Sequence, residues 1–134
     1  GGLFTSLNGV ARNRIERFNT DGSVDTTFNP GVGADEFVST LSVQPNGKVV
    51  LGGGFSSVGG LPRNRITRLN SDGSMDVTFN VGTGANGVVS SILTQTDGNI
   101  IIGGGFTSVN GILQNRVAES VFERSFSQRA PKAK

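Results

Sequence analysis

The 134-residue chain contains no cysteine, histidine, tryptophan or tyrosine, and it has one methionine and four prolines. Without cysteine no disulfide framework can staple the fold, and thiols give no reading of the redox compartment. Without histidine or cysteine, serine and cysteine triads and ordinary zinc sites lack their parts, so the chain reads as non-catalytic, with no cofactor or metal. The missing indole and phenol rings remove the aromatic platforms with a polar handle that a sugar-binding site tends to use. No run approaches 18 apolar residues and no charged start leads into an apolar segment, so these residues hold no membrane span and no signal peptide. Apolar residues at a spacing of 3.6, the mark of a helix, are absent as well.

What is present is glycine, 21 residues of it, far above the usual share of about 7 %. With so little proline, this points to many tight turns in an all-β chain. The formal net charge of +2 is unevenly spread. Up to Glu119 there are eight Arg and Lys against nine Asp and Glu, whereas Ser120 to Lys134 holds Arg124, Arg129, Lys132 and Lys134 against Glu123. The body is near neutral and the end is basic. Such an end reads as a solvated tail, with no specific nucleic-acid partner.

The chain repeats itself at a spacing of 51 residues without insertion or deletion: Phe4, Phe55 and Phe106 fall in register, as do Arg12-Asn13-Arg14, Arg63-Asn64-Arg65 and Gln114-Asn115-Arg116. About half the positions of the first copy match the second. Copies start at 1, 52 and 103; the pattern fills residues 1–120 and is lost over 121–134. The first copy opens on Gly1 and Gly2, the counterparts of the last residues of a strand, so the chain is expected to be the C-terminal part of something longer.

Within one repeat, Phe37 to Gln44 and Val88 to Gln95 alternate in the period-two pattern of a strand. The turn signals Pro45-Asn46-Gly47 and Thr96-Asp97-Gly98 follow, then the apolar runs Lys48 to Gly52 and Asn99 to Gly103. Each pair makes a hairpin. A loop, Phe55 to Gly60, leads to a third strand, Asn64 to Asn70, and Ser71-Asp72-Gly73 turns the chain into a fourth, Met75 to Asn80. The first repeat does the same with Asn13 to Asn19 and Val24 to Asn29. Four antiparallel strands in roughly 50 residues is the content of one propeller blade, so the chain supplies about two and a half blades of a partial ring. Val121 to Phe126 could serve as a missing fourth strand. Open flanks call for partners, which would be other blades of the same longer polypeptide or of other subunits.

Asn13-Arg14-Ile15-Glu16-Arg17, Asp21-Gly22-Ser23-Val24-Asp25 with Phe28-Asn29, and Gln44-Pro45-Asn46-Gly47-Lys48 resemble the delta-60 repeat, a bacterial β-propeller-like family. The resemblance covers everything before the tail and departs at Thr96 and Asn99, where Pro and Lys are typical. It implies a structural or adhesive module of a larger extracellular, cell-surface or virion-associated assembly, and no catalytic residues. The other reading is a lectin-like propeller that binds glycan or a small ligand.

Few side chains stand out as binding candidates. Arg14, Arg65 and Arg116, with Arg17 and Arg68, could line a groove for acidic ligands, but Asp21, Asp25, Asp72 and Asp76 recur in equal number, and internal ion pairing is the better reading. The two Asn-x-Asp-Gly-Ser-x-Asp clusters gather oxygen ligands, yet their spacing is not that of an EF-hand, and a turn capped by Asp explains them. The glycine triplets at 52–54 and 103–105 open no helix and lack the ending of a phosphate-binding loop. Asp35 and Glu36 differ from their counterparts Asn86 and Gly87, and Glu16 from Thr67, which makes them places for a copy-specific function. A solvated acidic loop is the simpler reading of Asp35-Glu36.

Overall fold

The computed structural model describes residues 1–7, 9–114 and 116–119, and among them every regular element is a strand. Twelve follow one another: β1 (Ser6–Leu7), β2 (Val10–Ala11), β3 (Val38–Val43), β4 (Val49–Gly53), β5 (Ser57–Val58), β6 (Leu61–Pro62), β7 (Ile66–Leu69), β8 (Val89–Thr94), β9 (Ile100–Gly104), β10 (Ser108–Val109), β11 (Ile112–Leu113) and β12 (Val117–Glu119). Among the described residues no helix is long and apolar enough to cross a membrane.

The sequence period becomes a period of sheets. β3-β4-β7 and β8-β9-β12 are three-stranded and antiparallel, and their registers coincide after a shift of one repeat: Leu41 pairs with Leu51 as Ile92 does with Ile102, and Gly52 with Ile66 as Gly103 does with Val117. The hairpin turns form where the sequence signals them. Gly47 N donates to Gln44 O (2.9 Å) and Lys48 N to the Asn46 side-chain oxygen (3.0 Å). Gly98 and Asn99 do the same with Gln95 and Asp97.

β4 is buried on both faces. Alternation sends Val49 and Leu51 into one apolar cluster, with Ile15, Phe28 and Phe55, and Val50 into a second, with Phe79, Ile100, Ile102 and Phe106. The two sheets are therefore successive blades, the second cluster lies between them, and the first cluster joins the β3-β4-β7 blade to what precedes it. Close approach depends on Gly52, where a Cβ would stand 2.6 Å from Val89 Cγ1 and 2.9 Å from Thr40 Cγ2. At the inner edge a β-bulge at Ser39 turns its hydroxyl to the Val89 carbonyl of the next blade (2.8 Å), and Ser42 and Thr94 share a hydroxyl hydrogen bond (2.9 Å).

Three sequence expectations are revised in detail. The fourth segment of the blade, Met75 to Asn80, pairs at the single bridge Leu69↔Met75, and Val24 to Asn29 at Phe18↔Val24. Asp76 explains this: its Oδ1 accepts from the amide (3.0 Å) and hydroxyl (2.6 Å) of Thr78, a local turn that competes with the ladder. Among the described residues Asn13 to Asn19 makes one β-bridge, at Phe18, and is otherwise held by separate backbone hydrogen bonds, such as Gly2 N to Arg14 O (3.1 Å) and Asp25 N to Arg17 O (2.9 Å). The loop Phe55 to Gly60 contains a strand, β5, which pairs with β6 and, through Ala34↔Val58, with the segment arriving from the preceding repeat. β10-β11 and Ala85↔Val109 repeat the arrangement. The expected fourth strand at Val121 to Phe126 lies outside the described residues.

Phe55 and Phe106 are fully buried, Phe4 only partly. Truncation of Phe55 to Ala should cost about 3 to 5 kcal/mol in denaturant unfolding, and a loss below about 1 kcal/mol would contradict its place in the core. The glycine triplet provides a sharper contrast. A Cβ at Gly104 would collide with the Val88 carbonyl, whereas one at Gly105 meets nothing within 4 Å. Gly104→Ala should destabilise by about 2 kcal/mol or more and Gly105→Ala by less than about 0.5 kcal/mol, a difference readable from paired urea titrations.

Candidate functional site

The recurring charges are spent on one another and on the backbone. Arg68 is 1 % exposed. Its Nε donates to Asp76 Oδ2 (2.8 Å), its Nη1 to Gln44 Oε1 (3.2 Å), and its guanidinium carbon lies 4.8 Å from the centroid of the Phe79 ring. Lys48 Nζ reaches the same Oδ2 at 2.9 Å. Burial works against a charge on Asp76, but the Thr78 hydroxyl, the Lys48 ammonium, the Thr78 amide and Arg68 outweigh it and hold the carboxyl far below the ordinary carboxylate range. One repeat earlier, Arg17 and Asp25 make the same contact at 2.8 Å, with Arg17 4.8 Å from the Phe28 centroid. That pair is more open, and Arg17 Nη1 turns instead to the carbonyl of Ser71 (2.7 Å).

Arg14 and Arg65 are placed differently from the ion-pair reading. Both have positive φ, 69° and 68°, as does Arg116 at 65°. Arg14 Nη1 donates to the carbonyl of Ala34 and Arg65 Nη1 to that of Ala85, each at 3.0 Å. These arginines clamp the segment that enters the next blade. Asp21 and Asp72 pair with no cation in the described geometry and cap their own turns: each Oδ1 accepts from the amide (2.9 Å) and hydroxyl (2.6 Å) of Ser23 or Ser74, which lowers both carboxyls. Gly22 and Gly73 follow them at φ 89° and 91°. No group of three His, Cys, Asp or Glu converges among the described residues.

Asp35 is exposed yet engaged. Its Oδ1 accepts from the amides of Ser56 (2.8 Å) and Ser57 (3.0 Å) and its Oδ2 from the Ser56 hydroxyl (2.6 Å), so the carboxyl lies below its ordinary value although partial burial opposes this. It is a cap and not a solvated loop residue. Glu36 beside it is exposed. Asn86 repeats the cap with Thr107 and Ser108 at 2.8 and 3.0 Å. Glu16 pairs with Arg12 Nε (2.8 Å) and accepts the Arg17 amide (2.8 Å), where its counterpart Thr67 donates its hydroxyl to Met75 Sδ (3.1 Å). Of the expected binding candidates, Arg14 reaches the carbonyl of Ala34, next to Asp35, and Arg65 the equivalent carbonyl of Ala85 one repeat on.

Apolar surface marks the flanks, which the motif reading could not assign to particular side chains. On the face of β3 turned away from the next blade, Leu41 is 41 % and Val43 65 % exposed, while their counterparts Ile92 and Thr94 are partly buried against β3-β4. On the far face of the β8-β9-β12 blade, Leu93 is 60 % and Val117 47 % exposed. Between the two inner hairpin turns a groove of about 300 Å³ is lined by Gln44, Pro45, Asn46 and Thr94 to Gly98, all neutral apart from Asp97.

Asp76→Asn leaves two cations without their counter-charge and should cost about 3 to 5 kcal/mol at pH 7, and Asp25→Asn at its more open pair should cost markedly less. The sign of the pH dependence follows from the depressed carboxyl. Its contribution is complete above the unfolded carboxyl value of about pH 4 and is lost as the pH falls towards the lower folded value. The stability gap between the parent and Asp76→Asn should therefore narrow between about pH 5 and pH 2 in thermal unfolding, and a constant gap would remove Asp76 as its cause.

No curated protein and no solved structure matches the chain. One family does, over residues 1–28, 44–79 and 95–119, and it is described as a β-propeller domain of unknown function (DUF5122). The matched segments hold the capped turns, the Arg-Asp pairs and the glycine triplets around which the blades are built. By this match across more than half of its residues, the chain belongs to the DUF5122 β-propeller family.

Proposed function

We propose that this chain is a non-catalytic structural or adhesive propeller module of the delta-60 type, working in a larger extracellular, cell-surface or virion-associated assembly. Residues 1–120 form its repeats and 121–134 a separate basic segment. The observation that carries the reading is the pair of uncovered apolar faces at the two ends of the blade stack, Leu41 with Val43 and Leu93 with Val117. The same faces are packed between blades inside the chain. Supporting it, Arg68, Asp76, Asp72 and Asp35 are all engaged in holding the scaffold, so the repeat spends its polar chemistry on itself. The delta-60 resemblance supplies the setting.

Faces of this kind associate. Light scattering at micromolar concentration should give a mass above that of one chain, and Leu93→Glu combined with Val43→Glu should lower it by placing charges where a neighbouring blade would pack. A monodisperse, cooperatively unfolding monomer of the parent chain would overturn the proposal.

A further inference from the structure

The cap of Asn86 has the parts of an acyl-transfer site. Its carbonyl oxygen, Oδ1, accepts from two backbone amides at once, Thr107 N at 2.8 Å and Ser108 N at 3.0 Å, and its Nδ2 donates to the Thr107 hydroxyl oxygen at 2.9 Å. Two N–H groups at this range on one carbonyl oxygen are the donors of an oxyanion hole, which lower the cost of negative charge there when the carbon is attacked. The next amide in the chain, Gly87 N, belongs to a residue with no Cβ to crowd the approach, and it donates to no acceptor among the described residues. Asn86 is exposed, so water reaches the same carbon.

Two other Asn-Gly pairs lie wholly within the described residues and lack this combination. Asn46 Oδ1 accepts from one amide, that of Lys48 at 3.0 Å, and Gly47 N is committed to Gln44 O at 2.9 Å. Asn110 Oδ1 accepts from Thr83 N at 3.1 Å and from no second amide among the described residues. The cap equivalent to that of Asn86 in the preceding repeat already holds a carboxylate, Asp35, which takes two amides and the Ser56 hydroxyl and is followed by Glu36 in place of glycine. The acid form of this cap is thus built into the fold one repeat earlier.

The geometry points to Asn86 as a self-modification site, at which the folded chain converts its own asparagine to aspartate with the normal backbone linkage. Gly87 N gives its proton to hydroxide and bonds to Asn86 Cγ, while charge gathers on Oδ1 between the two amides. The bond from Cγ to Nδ2 then breaks, and the nitrogen leaves as ammonia with a proton from water. The five-membered imide that results keeps Oδ1, and with it the two donors that polarise Cγ, so water adds at Cγ in preference to the main-chain carbonyl. The bond between Cγ and Gly87 N breaks and that nitrogen regains a proton; the net change is amide plus water to carboxylate plus ammonium. The new carboxylate reproduces the Asp35 cap, with the Thr107 hydroxyl turned to donate as that of Ser56 does. A negative charge thereby appears beside the β10-β11 ribbon after folding is complete.

The experiment ages the folded 134-residue chain at neutral pH beside the same chain unfolded in urea. Peptide mapping by mass spectrometry locates each new acid, and an isoaspartyl methyltransferase assay counts the abnormal linkages. In the folded chain Asn86 should convert about tenfold faster or more than Asn46 and Asn110 and should give mainly normal aspartate. In urea, where the amide donors are gone, the three rates should converge and isoaspartate should take over at position 86. Asn86→Asp should fold with the melting temperature of the parent and show no further acidic shift at this position. A folded chain in which Asn86 lags behind Asn46 or Asn110, or in which isoaspartate predominates at position 86, overturns the inference. So does an Asn86→Asp chain that melts well below the parent, because the cap would then reject the product.

Discussion

β4 is a strand without a solvent face, and the architecture depends on that. Val49 and Leu51 fill one cluster and Val50 the other, so a shift of one residue in its pairing would exchange the two cores at once. Its neighbours hold the register: the turn closed by Gln44, Asn46 and Gly47 on one side, the Arg68-Asp76 pair on the other. The glycines at its end let the next blade approach to a distance that no side chain would allow. Stacking therefore follows from one strand being apolar throughout and glycine at its tip.

The buried ion pair gives this stack specificity at some cost in solvation. Arg68 lies between a carboxylate, an amide and an aromatic face, so its donors and its flat surface are both used, which a lysine could not reproduce. In the first blade the same residues sit nearer to water and the arginine turns to a carbonyl of the neighbouring turn. The same arginine, aspartate and phenylalanine thus make a closed lock where Gln44 and Lys48 stand beside them and a more open one at Arg17, Asp25 and Phe28.

The period, the all-β class and the two hairpins were legible because each rests on local chemistry: alternation in β3 and β8, and turns whose residues favour them. What stayed hidden depended on contacts between repeats. β5 looked like a loop since Ser57 and Val58 make a ribbon of two residues per strand, too short to show a period, and are held by Ala34 from the preceding repeat. Met75 to Asn80 looked like a strand, and the carboxylate of Asp76 diverted it into a turn. Arg14 and Arg65 were legible as recurring cations but not as residues with positive φ, a conformation that sequence reasoning assigns to glycine or asparagine. The candidate site suffered most, because whether Asp35 was a charge in solvent or a cap depended on where the amides of Ser56 and Ser57 stood.

That cap separates shape from electrostatics. Asp35 and Asn86 accept from equivalent pairs of amides at the same distances, one as an anion that also accepts from the Ser56 hydroxyl and the other as a neutral amide that donates to the Thr107 hydroxyl oxygen. A single substitution can therefore switch a formal charge on or off beside each β-ribbon while the backbone remains in place. A protein built from many such repeats has a row of these positions, and its surface potential can be rewritten blade by blade during evolution without renegotiating the fold.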